Sequence, residues 1–199
     1  MLKPVSNAKY LGVLLDDKLK WSNHINAVGL KLSKGVGLLA KSRHYVPSIV
    51  LRSLYFSFIN SHTDYNLLNW GMATQTSLTT LNNKTKKALR IISFKDSDHP
   101  SVPLFKQHNI LPLNKSIDLK FSNYMWKLIN GFLPDTLAQN FRPNERTQFS
   151  NSISRLESLS RSIYFAGPQL WNQLPANIRD KPSLNAFSKS VKGHFLELL

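Results

Sequence analysis

Along most of this chain apolar residues recur every three or four positions, the spacing of one helical face, and only the first stretch departs from it. Tyr10, Leu11, Val13, Leu14 and Leu15 form a short apolar run with β-favouring members, and Gly12 lets another backbone come close. Ser6-Asn7-Ala8 is turn-like, so the pattern predicts a hairpin with Met1 to Val5 going out and Tyr10 to Leu15 returning. The outgoing strand is short and contains Pro4, and a lone two-stranded hairpin is marginal in water. The expectation is a sheet lying mostly upstream of Met1.

Helical spacing takes over after two adjacent acids, Asp16 and Asp17. Ser22 or Asn23 is placed to cap a helix lined by Ile25, Val28, Leu32, Val36 and Leu39. Gly29, Gly35 and Gly37 each weaken it by roughly 1 kcal/mol relative to alanine, so they mark close packing or a bend. Pro47 opens a second helix at its first turn, with Ile49, Val50, Leu54, Phe58 and Ile59 as its apolar side and Tyr55 and Phe56 broadening it. A third helix is predicted from about Ser77 to Ser93, burying Leu78, Leu81, Ala88, Leu89 and Ile92. Phe94 to Pro103 is polar with two prolines, and reads as a loop and internal boundary. A short helix from Leu104 to His108 follows, then one from about Asn114 to Asn130 with Ile117, Phe121, Tyr124, Met125 and Leu128 inward, stopped by Gly131 and Pro134. Six serines between Ser150 and Ser162 break the periodicity. Beyond them, Ile163 to Pro168 leads into a turn and Leu170 to Pro175. A last helix from Ser183 buries Leu184, Phe187, Val191, Phe195 and Leu198.

The fold class expected is mainly α, with a short N-terminal β-hairpin remnant, a helical bundle and a mixed C-terminal segment. The organisation expected is 1–21 as the hairpin remnant, 22–94 and 102–141 as helical regions, 142–162 as a flexible Ser-rich linker and 163–199 as the C-terminal segment. At 199 residues and 42% hydrophobic content the chain can bury a core. No apolar run approaches a membrane span and no signal-peptide core is visible, so an intracellular location, nucleus or cytoplasm, is expected without membrane contact.

Charge changes the picture most. Twenty-six Lys and Arg against 11 Asp and Glu give a net +15, an excess that favours a polyanionic partner, above all nucleic acid. Lys84, Lys87 and Arg90 recur at i, i+3 and i+6 with Lys86 beside them, the densest basic face in the chain. Lys31, Lys34, Lys41 and Arg43 lie off the apolar stripe of the first long helix. Each face is equally readable as solvated lysine. Together with the net charge they tip toward sequence-independent phosphate-backbone binding.

Candidate chemistry is sparse. The absence of cysteine excludes disulfides, thiolate zinc sites and a cysteine nucleophile. The six histidines show no metal-ligand spacing, and there is no Gly-x-x-x-x-Gly-Lys-Ser/Thr loop. Asp16 and Asp17, with His24 eight residues beyond Asp16 and Asp64 further on, raise a metal site for nucleotidyl transfer, which needs converging carboxylates. Adjacent strand residues point to opposite faces, which favours the other reading, a strand end whose carboxylates face solvent or cap the next helix. No catalytic residue and no metal ligand is assigned.

One resemblance joins these pieces. Lys9-Tyr10-Leu11-Gly12-Val13-x-Leu15-Asp16-x-x-Leu19-x-Trp21-x-x-His24-Ile25 resembles the segment after the catalytic palm motifs in reverse transcriptases of non-LTR retrotransposons (LINE elements), jockey-like branch. The similarity continues through Leu51-x-x-Leu54-Tyr55-x-Ser57-x-Ile59-x-Ser61 with Tyr65 and Trp70-Gly71. It goes on at Leu81, Lys87-Ala88-Leu89-Arg90-Ile91-Ile92 and Pro103-Leu104-Phe105 leading to Ile110-Leu111. It ends at Gly167-Pro168-x-Leu170-Trp171-Asn172-x-Leu174-Pro175-x-x-Ile178 and Phe187. The resemblance implies that Tyr10, Leu11 and Gly12 belong to the hairpin that grips a primer end. It implies that the following helices are a thumb whose Lys31, Lys34, Lys84, Lys87 and Arg90 contact the template–primer backbone, RNA or DNA. The family's catalytic aspartates, which hold Mg2+, lie in palm motifs upstream of the Tyr-Leu-Gly strand. The expectation is therefore a nucleic-acid-binding fragment, inert alone as a polymerase, needing no cofactor itself and partnered by a palm domain upstream. The rival readings are a relic helical scaffold that binds protein, and an enzyme using Asp16, Asp17 and Asp64. Oligomeric state is not legible.

Overall fold

A computed structural model describes residues 5–139, 141, 143–144, 148–149 and 160–199. It is mainly helical, with a two-stranded antiparallel hairpin at its N-terminus. Strand β1 (Asn7–Tyr10) pairs with β2 (Val13–Asp16) so that Tyr10 faces Val13 and Asn7 faces Asp16. The hairpin therefore turns at Leu11-Gly12, not at Ser6-Asn7-Ala8 as the pattern predicts. Both turn residues have positive φ, 46° for Leu11 and 81° for Gly12, the combination that matches the right-handed twist of two paired strands. Gly12 is there for the turn.

Helix α1 (Ser22–Ser42) buries the expected stripe of Ile25, Val28, Leu32, Val36 and Leu39. Neither Ser22 nor Asn23 caps it. Trp21 is the capping position, in a left-handed conformation, and Asn23 instead donates its side-chain amide to Asn7 Oδ1 at 2.6 Å. Helix α2 (Ser48–Tyr55) starts after Pro47, whose extended backbone precedes the first turn and whose carbonyl accepts from Val50 and Leu51. It runs through a π-helical turn, Phe56–Asn60, into α3 (Ser61–Asp64).

That π turn explains why the buried face of this segment matches the predicted one only at Tyr55 and Ile59. Its buried positions are Leu51, Tyr55, Ile59 and Thr63, whereas Ile49 is 73% exposed and Val50 and Phe58 are each more than one third exposed. A strict four-residue spacing drifts around a regular 3.6-residue helix, and one i→i+5 turn takes up the difference. At this turn the backbone approaches α1 closely. A Cβ on Gly35 would lie 2.9 Å from both the Phe58 carbonyl oxygen and Ile59 Cδ1. Gly29 makes ordinary contact with Leu81, and Gly37 faces open space.

After α4 (Leu67–Trp70), helix α5 (Gln75–Ile92) is capped by Thr74, whose side chain accepts from the Ser77 amide. It runs in the same direction as α1, with Gly29 against Leu81 near one end and the Arg43 guanidinium 5.2 Å from the Phe94 ring at the other. Helix α6 (Ser101–His108) is tied back by Arg52, which donates to the His108 carbonyl at 3.2 Å while lying 4.8 Å over Phe56.

The chain divides into two compact units, Met1–Asn114 and Lys115–Leu199, with α7 (Leu113–Ile129) beginning just before the division. The second unit contains the rest of α7, α8 (Asp135–Ala138), the short pair β3 (Pro143–Asn144) and β4 (Gln148–Phe149), α9 (Ile163–Gln173), α10 (Ala176–Arg179) and α11 (Leu184–Glu197). Its core is aromatic, with Phe187 5.7 Å from Trp171 and 6.2 Å from Trp126 between ring centroids. Most of the Ser-rich stretch 142–162 lies outside the described residues.

Helix α9 corrects the turn expected around Gly167-Pro168. Pro168 lies inside it, although an interior proline costs about 3 kcal/mol. Packing accounts for this: a Cβ on Gly167 would meet Ile163 Cδ1 at 2.9 Å and Met125 Sδ at 3.0 Å, and Trp171 one turn later is buried. Leu198, expected inward on α11, is exposed.

Candidate nucleic-acid interface

The joint between the hairpin and α1 is organised by one carboxylate. Asp16 Oδ1 accepts from the amides of Lys18 (3.2 Å) and Lys20 (2.9 Å), and Oδ2 accepts from Trp21 at 2.8 Å. Burial pushes this carboxyl up, but the amides of Lys20, Trp21 and Lys18 outweigh it and hold the group below its ordinary value of 3.8. The acid thereby fixes a segment in which Leu19 and Trp21 both have positive φ.

His24 completes the joint. It is buried, its Nδ1 accepts from the Leu14 amide at 3.3 Å, and its ring lies 5.8 Å from that of Trp70. Burial and then the Lys31 charge lower its pKa, which keeps the imidazole neutral and able to accept. Asp16 and His24 are both committed to backbone amides. Among the described residues, no group of three or more His, Asp or Glu is placed to hold a metal.

Tyr10, Leu11 and Gly12 come together at the hairpin tip, which projects into solvent with Tyr10 66% and Leu11 72% exposed. A strut from another element holds the tip in place. Tyr65 Oη donates to the Leu11 carbonyl at 2.6 Å, and the Tyr65 ring passes beneath Gly12. Tyr65 is itself positioned by Trp70, whose buried indole N–H donates to the Tyr65 carbonyl at 2.8 Å.

The basic row of α5 does not act as one face. Lys84 reaches across to α1 and hydrogen-bonds Ser33 Oγ, whose hydroxyl in turn donates to the Gly29 carbonyl. Arg90 Nε donates to the His99 carbonyl at 2.7 Å and so pins the 94–100 loop. Of the three, only Lys87 is exposed; Lys84 and Arg90 are half-buried. On α1, Lys31 and Lys34 are both exposed, and Lys31 lies near enough to His62 of α3 to lower its pKa after burial has done so. Between α1 and α5 runs a groove of about 470 Å³ with Lys84 at its wall and the hydroxyls of Ser33 and Thr80 beside it. Sequence reasoning missed Ser33 and the strut made by Tyr65. Only the resemblance, which includes Tyr65, held a signal for the second.

No protein-family model, curated protein or solved structure significantly matches the chain.

Proposed function

We propose that this chain is a nucleic-acid-binding region of the reverse-transcriptase type, corresponding to the primer-grip hairpin, thumb and following tail of a non-LTR retrotransposon enzyme. In this reading it holds an RNA or DNA template–primer through the backbone, without sequence preference, beside a palm domain that supplies the chemistry. The observation that carries the proposal is the hairpin tip. Tyr10, Leu11 and Gly12 are exposed, bent into a turn that disfavours leucine, and fixed by Tyr65. Strain retained at an exposed, well-supported position is characteristic of ligand contacts. The net charge of +15 supplies the attraction.

The lysines free to meet phosphates in this account are Lys31, Lys34 and Lys87, with Lys84 at the groove and Arg90 serving the fold. Replacing Lys31, Lys34 and Lys87 together by Glu tests it. Affinity for a short RNA–DNA duplex is expected to collapse while the far-ultraviolet circular dichroism stays unchanged. Unchanged affinity in the triple variant contradicts the proposal.

A second reading, a helical scaffold that binds another protein, draws on one observation: the exposed apolar side chains of Tyr45, Ile49 and Val50 around the start of α2. It predicts that nucleic acid is not bound at low salt, and that Ile49→Glu rather than the lysine substitutions abolishes partner binding.

A further inference from the structure

Behind the hairpin tip, in the first unit, lies a cleft of about 500 Å³ walled by Tyr10, Leu15, Trp21 and Tyr65 and edged by Asn66 and Asn69. We propose that this cleft takes an unpaired nucleobase from the strand held by the hairpin, an inference that rests on the nucleic-acid function proposed above. The rings of Tyr10 and Tyr65, both exposed, supply flat π surface, against which any base can stack regardless of sequence. Asn69 Nδ2 donates to Asn66 Oδ1 at 2.6 Å, which leaves the Asn69 oxygen and the Asn66 amide group as an acceptor and a donor for a base edge.

The cleft is preorganised. The Tyr65 hydroxyl locks one wall to the Leu11 carbonyl of the other, so no ordering is needed on entry. Its volume falls within the range of small-ligand sites, about 300–1,000 Å³, and exceeds what a single base requires. The surrounding sequence suits a polyanion: Lys9, Lys18 and Lys20 are exposed and close in the chain to the lining residues, Asp16 is occupied by amides, and Asp17 is the exposed acid among them. A base stacked within a duplex cannot enter such a cleft, so the occupant is a strand end or an extruded base.

The test compares a short single strand bearing bases with one of the same length made of abasic residues, as RNA and as DNA, by fluorescence anisotropy at fixed salt. The full chain is expected to prefer the base-bearing strand by roughly 5- to 100-fold, the value of stacking one base on an aromatic side chain. Tyr10→Ala and Asn69→Ala, both at exposed positions, should each lower that ratio severalfold. A 2-aminopurine in the strand should lose its emission on binding to the unaltered chain and keep it with Tyr10→Ala. A ratio that neither substitution changes overturns the base site while leaving backbone binding in place. Failure to bind either strand at low salt overturns the base site and the proposed function together.

Discussion

Leu11 occupies the left-handed region at the exposed end of the hairpin, a conformation that costs an L-residue with a Cβ about 1–2 kcal/mol. Asparagine before glycine is the preferred pair for this turn. Leu11→Asn is therefore expected to raise the unfolding free energy by about 1 kcal/mol in urea titration and, at the same time, to weaken nucleic-acid binding. Asp16 behaves in the opposite way, because its carboxylate gathers three amides. Asp16→Asn should cost about 1 kcal/mol of stability, the range of a lost capping interaction, with no catalytic phenotype. Proton linkage gives a further expectation. Burial, followed by Lys31 for His24 and His62 and by Arg52 for His108, holds all three imidazoles below their ordinary value of 6.5. The unfolded chain then takes up protons first on acidification, so stability is full above about pH 6.5 and falls as the pH drops through the folded-state values. The Asp16 contribution is lost later, below the ordinary carboxylate value of 3.8 and through its own lowered pKa. Urea midpoints should be flat between about pH 7 and 9 and decline as the pH falls from about 6.5 through the histidine range; a midpoint that rises in that range contradicts the assignment.

At the scale of elements, α1 and α5 were legible because their apolar residues keep the regular three- and four-residue rhythm of a helix whose other side is solvated. The second helix was legible in its start after Pro47 and in Tyr55 and Ile59, but not in Leu51 and Thr63, because the four share one face through a π turn that no periodicity rule anticipates. In α9 a proline read as a breaker is overridden by the packing of Gly167 on Met125, a contact between residues far apart in the chain. The candidate site was half legible for the same reason. The lysine row is visible as charge, but Ser33 and the His99 carbonyl, which take Lys84 and Arg90 out of it, come from other parts of the chain. The three glycines of α1 offer a controlled check. Gly35→Ala must push a methyl group into the Phe58 carbonyl and should cost roughly 1–3 kcal/mol, as overpacking does. Gly37→Ala meets open space and should stabilise the helix by up to about 1 kcal/mol. Equal effects at the two positions in thermal unfolding would mean that α1 and the π turn do not approach as described.

For the molecule as a whole, the two units differ in what they offer. The first holds the hairpin, the strut from Tyr65 and the exposed lysines of α1 and α5, whereas the second is built around Phe187, Trp171 and Trp126. Among the described residues, no helix is long and apolar enough to cross a membrane. The 26 basic residues outnumber the 11 acids that could pair with them. Even if every acid were paired as Asp118 is with Lys115, at 3.1 Å, the excess of 15 basic side chains would remain and would need an anionic ligand or counterions. The most direct test of the account is the salt dependence of binding to an RNA–DNA duplex. With about four to six phosphates neutralised, log K should fall linearly against log salt with a slope of about −4 to −5, and shallower once Lys31, Lys34 and Lys87 are replaced by Glu. Affinity that is absent at low salt, or that does not change with salt, would contradict it.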